Sequence, residues 1–297
     1  MSITAPTVVS EARPSGVFGP VIQLSKPGVT RLVMVTALCG ALVAPKSIEP
    51  VKLLVALLST AFVVAGANAL NMYLERDVDA KMERTRLRPI PAGRISPEFA
   101  LVFGVCSSLL GMVVLVAWVN LVAGTLAGLA LLSYVLVYTP LKRSTPYALH
   151  VGAVPGAIPP LIGYAAVAGN LDTVAYLLFS ILLVWQLPHF MAISIFRQAD
   201  YRAAGLQVFP VAVGVARTKR AICFYSVVLL LVTLVPVFNG VAGAAYAVIV
   251  GVTGLGFLAW SIYGLRAKDP VSWARSLFLA SMPHLVVVFA ALVASAM

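Results

Sequence analysis

The densest run of chemically useful residues extends from Asn71 to Pro89. It reads Asn71-Met72-Tyr73-Leu74-Glu75-Arg76-Asp77-Val78-Asp79 and continues through Glu83, Arg84, Thr85 and Arg88 to Pro89. Asn71, Glu75 and Asp79 recur every fourth residue, which on a continuing helix places them within about 80° of one face. One amide oxygen and two carboxylates suit Mg²⁺, which takes one or two carboxylates and fills its shell with water and substrate phosphate oxygens. Asp77 falls elsewhere on such a helix. The same acids could instead pair with neighbouring Arg residues four positions away, as at any solvated helix end. Depth favours chemistry. Asn71 and Glu75 follow directly from a run of about 20 mostly apolar residues, the length of a membrane span, and an ionisable group below the membrane surface is functional by default.

Two further segments carry suitable groups. Trp185-Gln186-Leu187-Pro188-His189-Phe190 is followed by Asp200-Tyr201-Arg202-Ala203-Ala204-Gly205. On one continuous helix His189, Ile193, Phe196 and Asp200 form a stripe with Gln186 beside it, so a His, an amide and a carboxylate could line one cavity wall. The bland alternatives are a core histidine bonded to a carbonyl and an ordinary loop acid. Tyr138-Thr139-Pro140-Leu141-Lys142-Arg143-Ser144-Thr145 places two adjacent cations and two hydroxyls at a helix end. That grouping suits a diphosphate, and by itself suits equally the basic anchors of a membrane helix. His150 and His284 also lie in or near apolar segments; a structural role is expected for His284.

These groups must be held by membrane helices. Of 297 residues 61% are hydrophobic and 10% are charged, with a mean hydropathy of +1.00. A soluble domain carries roughly 25% charged residues. Nine apolar blocks are long enough to span a bilayer: 28–45, 50–74, 97–118, 120–138, 149–169, 172–196, 220–238, 241–265 and 273–296. The expected fold is therefore all-α and polytopic. Pro155, Pro159 and Pro160 predict a kink in the fifth block, facing protein or water. The net charge of +11 could suggest nucleic acid, but its placement excludes that reading. All the basic residues except Lys46 and Lys52 fall on the N-terminal segment and alternate loops, which places the N-terminus and four basic loops in the cytoplasm and the C-terminus outside. Residues 1–20 contain no apolar stretch and read as a disordered tail, neither signal nor transit peptide. Residues 21–297 read as one domain. Cys39, Cys106 and Cys223 are unpaired in spacing and read as small core residues. The polar stretches 75–96 and 197–219 lie four spans apart on the same side, as in a duplicated four-helix unit.

Taken together, these motifs resemble the UbiA superfamily of intramembrane aromatic prenyltransferases. The matching elements are Asn71-x3-Glu75-x3-Asp79, Arg84-Thr85-x2-Arg88-Pro89, Gly93, the Tyr138–Thr145 stretch, and Lys26-Pro27 before the first span. Met72 and Glu75 stand where quinone-pathway members have Asp. Trp185-Gln186-x-Pro188-His189-Phe190, Asp200-Tyr201-x2-Ala204-Gly205 and Tyr164 are similar to the haem O synthase (protohaem IX farnesyltransferase) branch. Leu206-Gln207-Val208-Phe209-Pro210 departs from that branch, which more often has a Pro-Met-Leu-Pro-like run.

The resemblance implies farnesyl transfer from farnesyl diphosphate to a vinyl group of haem B, with Mg²⁺, in a bacterial inner membrane and with the site facing the cytoplasm. It implies Asn71, Glu75 and Asp79 as metal and diphosphate ligands, with Asp200 as a second metal or orienting carboxylate. Arg84, Arg88, Lys142 and Arg143 would bind phosphate oxygens. Tyr138, Gln186, His189 and Tyr201 would line the substrates, His189 facing the acceptor. Haem A synthase would act downstream. Two other readings are a prenyltransferase for a quinone-precursor ring and a secondary transporter; transporter charges usually sit near the midplane, whereas these gather at one face. A purely structural subunit would not need the acidic cluster.

Overall fold

The computed structural model describes residue 16, residues 18–47 and residues 49–296. Among them every regular element is helical. A short α1 (Phe18–Leu24) meets α2 (Pro27–Val43) at a 51° bend. Then come α3 (Pro50–Leu74), a single turn α4 (Arg76–Asp79), α5 (Pro97–Val119), α6 (Leu121–Leu141) and α7 (Ala148–Ala168). The second half holds α8 (Thr173–Phe196), short α9 (Gln198–Ala203) and α10 (Phe209–Val213), α11 (Val215–Phe238), α12 (Ala244–Arg266) and α13 (Pro270–Ala296). Among the described residues eight helices are long and apolar enough to cross a bilayer, and nine if the bent α1–α2 pair is one span. Eight of the nine blocks read from the sequence correspond to these eight helices, and the first, 28–45, falls on α2, which reaches span length only together with α1. Large apolar side chains such as Trp118, Leu121 and Phe238 lie on the outer surface, as a lipid-facing bundle requires.

The helix starts follow local chemistry. Pro27, Pro50, Pro97 and Pro270 occupy first-turn positions, where a missing N–H costs nothing. Ser96, Asn120 and Asp172 cap α5, α6 and α8 by accepting backbone N–H bonds. The single residue Asn120 separates α5 from α6, and its side chain also donates to Ala165 O at 2.8 Å. The ends of α5 and α6 widen into π-helical turns at Leu115–Val119 and Ser133–Tyr138. Such turns are rare and frequently mark functional sites; the second leads directly into Thr139.

Between membrane helices close packing replaces the hydrophobic effect as the driving force. Small residues therefore line the tightest seams. A Cβ on Gly66 would strike Ser108 and Gly104 of α5, and one on Gly163 would strike the Ala37 carbonyl of α2. Helix α7, interrupted at Ile158, is the most enclosed span, and Pro155, Pro159 and Pro160 are all buried. The prolines face protein, as lipid-exposed unbonded carbonyls would not be tolerated.

The tail boundary at residue 20 needs correction. Phe18, Gly19 and Pro20 form the first turn of α1, which is anchored by Leu24 buried against Ala69, Met72, Ile90, Ile95 and Ala100. Residues 1–15 and 17 lie outside the described residues.

Candidate active site

The basic loops converge at one end of the bundle. Helix α3 stops at Leu74, and Glu75 has φ −100° and ψ 8°, so the chain breaks step before α4. The backbone ladder nevertheless continues: Glu75 N–H bonds Asn71 O at 3.0 Å and Asp79 N–H bonds Glu75 O at 2.7 Å. The one-face arrangement survives the break. Asn71, Glu75 and Asp79 are 2%, 3% and 0% exposed. Asp77 points outward, as the spacing requires.

Each of the three inward groups meets one cation from a different part of the chain. Lys26 Nζ donates to Asn71 Oδ1 at 2.7 Å. Lys142 Nζ lies 2.7 Å from Glu75 Oε1. Arg88 Nη1 spans both Asp79 oxygens at 2.8 and 2.6 Å. Thr139 Oγ1 accepts from Asn71 Nδ2 at 3.2 Å, tying α3 to the end of α6. The Lys142 contact is close but off-axis, so buried Glu75 Oε1 has a counter-charge without an aligned donor. Burial pushes the Glu75 carboxyl upward, but Lys142, Lys26 and Arg88 outweigh it and hold it below its ordinary value. Burial likewise lowers Lys142, but Tyr138, Glu75 and Tyr201 more than compensate and raise it. Both groups remain charged at neutral pH.

Several site residues read from the sequence stand elsewhere. Arg143 does not face the site: its Nη1 and Nη2 pair with Asp77 at 3.0 and 2.8 Å, and Nη2 also bonds Leu74 O, all on the exposed surface. These bonds hold the Asp77 carboxyl below its usual range. Arg84 is solvent-exposed. Two residues beyond the buried Met82, it turns outward where Arg88, one turn further on, turns in. Gln186 is spent on structure, donating to Ala153 O at 3.0 Å and Leu182 O at 3.1 Å, with its carbonyl wedged against Gly156.

Asp200 lies on α9, beyond the end of α8 at Phe196. Its one ionic contact among the described residues is Arg197 at 3.8 Å. Among those residues no three His, Cys, Asp or Glu side chains gather closely enough to hold a metal. Tyr201 packs with Val78, Met82, Ala204 and Leu206, which joins the second polar segment to the first. Tyr138 stacks on Tyr134 at 5.6 Å with its ring 5.7 Å from Lys142 Nζ. His189 is 6% exposed, stacks on Trp185 at 4.4 Å, and bonds Ser281 Oγ through Nδ1 at 2.6 Å.

Lys26 and Thr139 enter the cluster although neither was singled out for a role. The signal for Lys26 was the Lys-Pro pair before the first span: Lys26 adopts a left-handed φ of 47° immediately before Pro27, and the bend turns its side chain onto α3.

The UbiA prenyltransferase family matches residues 33–282. The chain belongs to the UbiA prenyltransferase family. Among curated members, one from Sorangium cellulosum named protoheme IX farnesyltransferase is 51% identical over 250 residues, covering 84% of this chain and 89% of its own. Another of that name from Anaeromyxobacter dehalogenans is 42% identical over 292 residues, covering 98% and 99%. UbiA-type solved structures share the fold. A digeranylgeranylglyceryl phosphate synthase superposes with a TM-score of 0.79 at 17% identity over 95% of this chain and 99% of its own. A UbiA homologue from Archaeoglobus fulgidus, bound to GPP and Mg²⁺, has a TM-score of 0.67 at 16% identity over 92% and 99%. As a UbiA prenyltransferase this chain is a multi-pass membrane enzyme, and its acid-and-cation cluster is the natural place to look for its chemistry.

Proposed function

We propose that this enzyme transfers a farnesyl group from farnesyl diphosphate to a vinyl group of haem B, giving haem O, at the cytoplasmic face of a bacterial inner membrane. The single observation that carries the reading is the interleaved cluster, in which Asn71, Glu75 and Asp79 each face one of Lys26, Lys142 and Arg88 at a buried helix end. The relatives' names supply the acceptor and the prenyl donor.

The residues fit a Mg²⁺ ion together with a diphosphate. Glu75 Oε1 is buried without an aligned donor, and two carboxylates with one amide oxygen are a suitable donor set. Asn71, Glu75 and Asp79 would hold the ion, which when bound neutralises charge on the leaving diphosphate. Lys26, Lys142 and Arg88, now on the acids, would turn to phosphate oxygens and exchange one anion for another. Their preorganised charge favours departure of the diphosphate with the C–O electron pair. The apolar surroundings keep bulk water from the allylic cation. The vinyl π electrons then form the new C–C bond, and water adds as hydroxyl with loss of a proton. Haem A synthase is the expected consumer of the product.

Membranes supplied with haem B and farnesyl diphosphate should form haem O by mass only when Mg²⁺ is present; chelation should abolish it. A quinone-precursor acceptor used in preference to haem would replace the reading. The orientation is checked separately: a cysteine placed at Glu83 should resist an impermeant reagent added outside intact cells, and labelling there would reverse the topology.

For His189 the expected result is selective loss. His189→Ala should stop haem O formation yet bind a farnesyl diphosphate analogue with Mg²⁺ at near-normal affinity. Ser281→Ala, which frees the ring, should give a milder version. If His189 serves only the core, its removal lowers stability by about 1–3 kcal/mol and weakens both substrates together, so both binding curves and a melting curve are needed from one preparation.

A further inference from the structure

Lys219, one turn into α11, is only 8% exposed. Its ammonium donates to Ala267 O at 3.0 Å, just past the end of α12, and lies 5.5 Å from the ring of Trp273 on α13. Trp273 is fixed in turn: its Nε1 donates to Trp260 O at 3.0 Å, and Gly264 leaves room for its ring. The lysine therefore sits where three helices meet. A carbonyl and an aromatic face supply only partial negative charge, and a buried full charge is costly without more. Among the described residues four ion pairs form, and Lys219, Arg220 and Lys268 take part in none of them.

These three cations line one cavity of about 600 Å³, together with Val215 and Ala216 at the start of α11 and Leu265 near the end of α12. Ligand pockets occupy about 300–1,000 Å³. Gly214 opens α11 without a capping side chain, so first-turn N–H groups there also favour an anion. The neighbouring acid, Asp269, is committed to the start of α13, where its Oδ1 accepts from the Val271 and Ser272 N–H groups at 3.0 and 3.1 Å. The depth of the cavity is marked by aromatics. Trp260 and Tyr263 stack at 5.1 Å on the exposed face of α12, one to two turns before its end. Such residues sit at the headgroup level of a bilayer, and Leu265, two residues on, is exposed as well.

We propose that this cavity binds the headgroup of an anionic phospholipid, with Lys219, Arg220 and Lys268 taking its phosphate oxygens and the acyl chains running down the outer face of α12. A phosphate supplies the counter-charge that the buried lysine lacks, and it offers several acceptors to the remaining ammonium and guanidinium donors. A free phosphate carries the same oxygens. The exposed Leu265 and the aromatic pair favour the lipid, because only a lipid brings chains to cover them. None of these residues belongs to the acid-and-cation cluster, so the site is separate from the transfer chemistry. It joins the ends of α11, α12 and α13, so an occupant braces that corner of the bundle.

The test uses the full-length enzyme in nanodiscs of phosphatidylcholine, with or without phosphatidylglycerol, read by melting temperature and by native mass spectrometry of the lipid that stays bound. The wild type should melt higher with phosphatidylglycerol and retain it over phosphatidylcholine by about tenfold or more. Arg220→Gln combined with Lys268→Gln should lose both effects, and the protein should still fold because both side chains are exposed. Lys219→Met should lose them as well; if it does not fold, the double variant decides. Arg217→Gln combined with Arg266→Gln is the charge-matched control. Both are exposed at the same two helix ends but outside the cavity lining, so wild-type selectivity should remain. Equal loss in the two double variants would mean diffuse attraction of basic helix ends to an anionic surface and would overturn the site. Retained selectivity in Arg220→Gln/Lys268→Gln would overturn it too. Inorganic phosphate in phosphatidylcholine nanodiscs should give no stabilisation that depends on Arg220 and Lys268; if it does, the occupant is a free anion and the lipid assignment fails.

Discussion

Asp79→Asn is expected to lower farnesyl transfer by about two to three orders of magnitude, the usual cost of removing one preorganised charged group from a transition-state site. Asp77→Asn, two residues away, should stay within about fivefold of wild type. Asp79 has no exposed surface and is gripped by Arg88, whereas Asp77 and its partner Arg143 have side chains 58% and 41% exposed. An exposed ion pair contributes about 0.2–1 kcal/mol and is screened by salt. Glu75→Gln belongs with Asp79→Asn, because it removes the buried carboxylate that lacks an aligned donor. Removing the Asp79 charge also leaves Arg88 without its partner. Breaking a fully buried pair costs roughly 3–5 kcal/mol, and the partial exposure of Arg88, at 22%, reduces that figure here. Initial rates with radiolabelled farnesyl diphosphate, alongside melting curves of the same samples, separate the two losses. Equal damage from Asp77→Asn and Asp79→Asn would sink the assignment of the buried face.

The second large effect separates two adjacent cations. Lys142→Met should reduce kcat by about a hundredfold or more, by loss of charge stabilisation at the leaving diphosphate. Arg143→Ala should cost less than about fivefold, as an exposed ion pair does. Lys142 lies over Glu75 and beside Tyr138, while Arg143 turns away to Asp77 and the Leu74 carbonyl. Lys142→Arg should recover only part of the activity, because a planar guanidinium does not replace a compact ammonium in a close-fitting position. Pre-steady-state measurement of diphosphate release reads the chemical step directly. A severe Arg143→Ala phenotype with a mild Lys142→Met one would invert the site.

The sequence by itself determined where eight of the spans lie, since these depend on local matters: apolar run length, proline at helix starts, and capping by Ser96, Asn120 and Asp172. It also determined that Asn71, Glu75 and Asp79 share a face, because a spacing of four outlasts even the break at Glu75 when the backbone ladder is kept. Which cation reaches which acid was decided only by tertiary structure. Lys26 is 45 residues from Asn71 and Arg143 is 66 from Asp77, so their meeting depends on how helices pack and bend. Lys142 and Arg143 have the same charge and the same helix end, and only the direction each leaves the backbone separates them. Gln186 looked like a ligand-binding amide until α7 came close enough for Ala153 O to take its donor. Hydrogen-bond partners across spans have no signature in a one-dimensional pattern, because they are set by side-chain direction and interhelical distance, and neither is encoded by residue type alone.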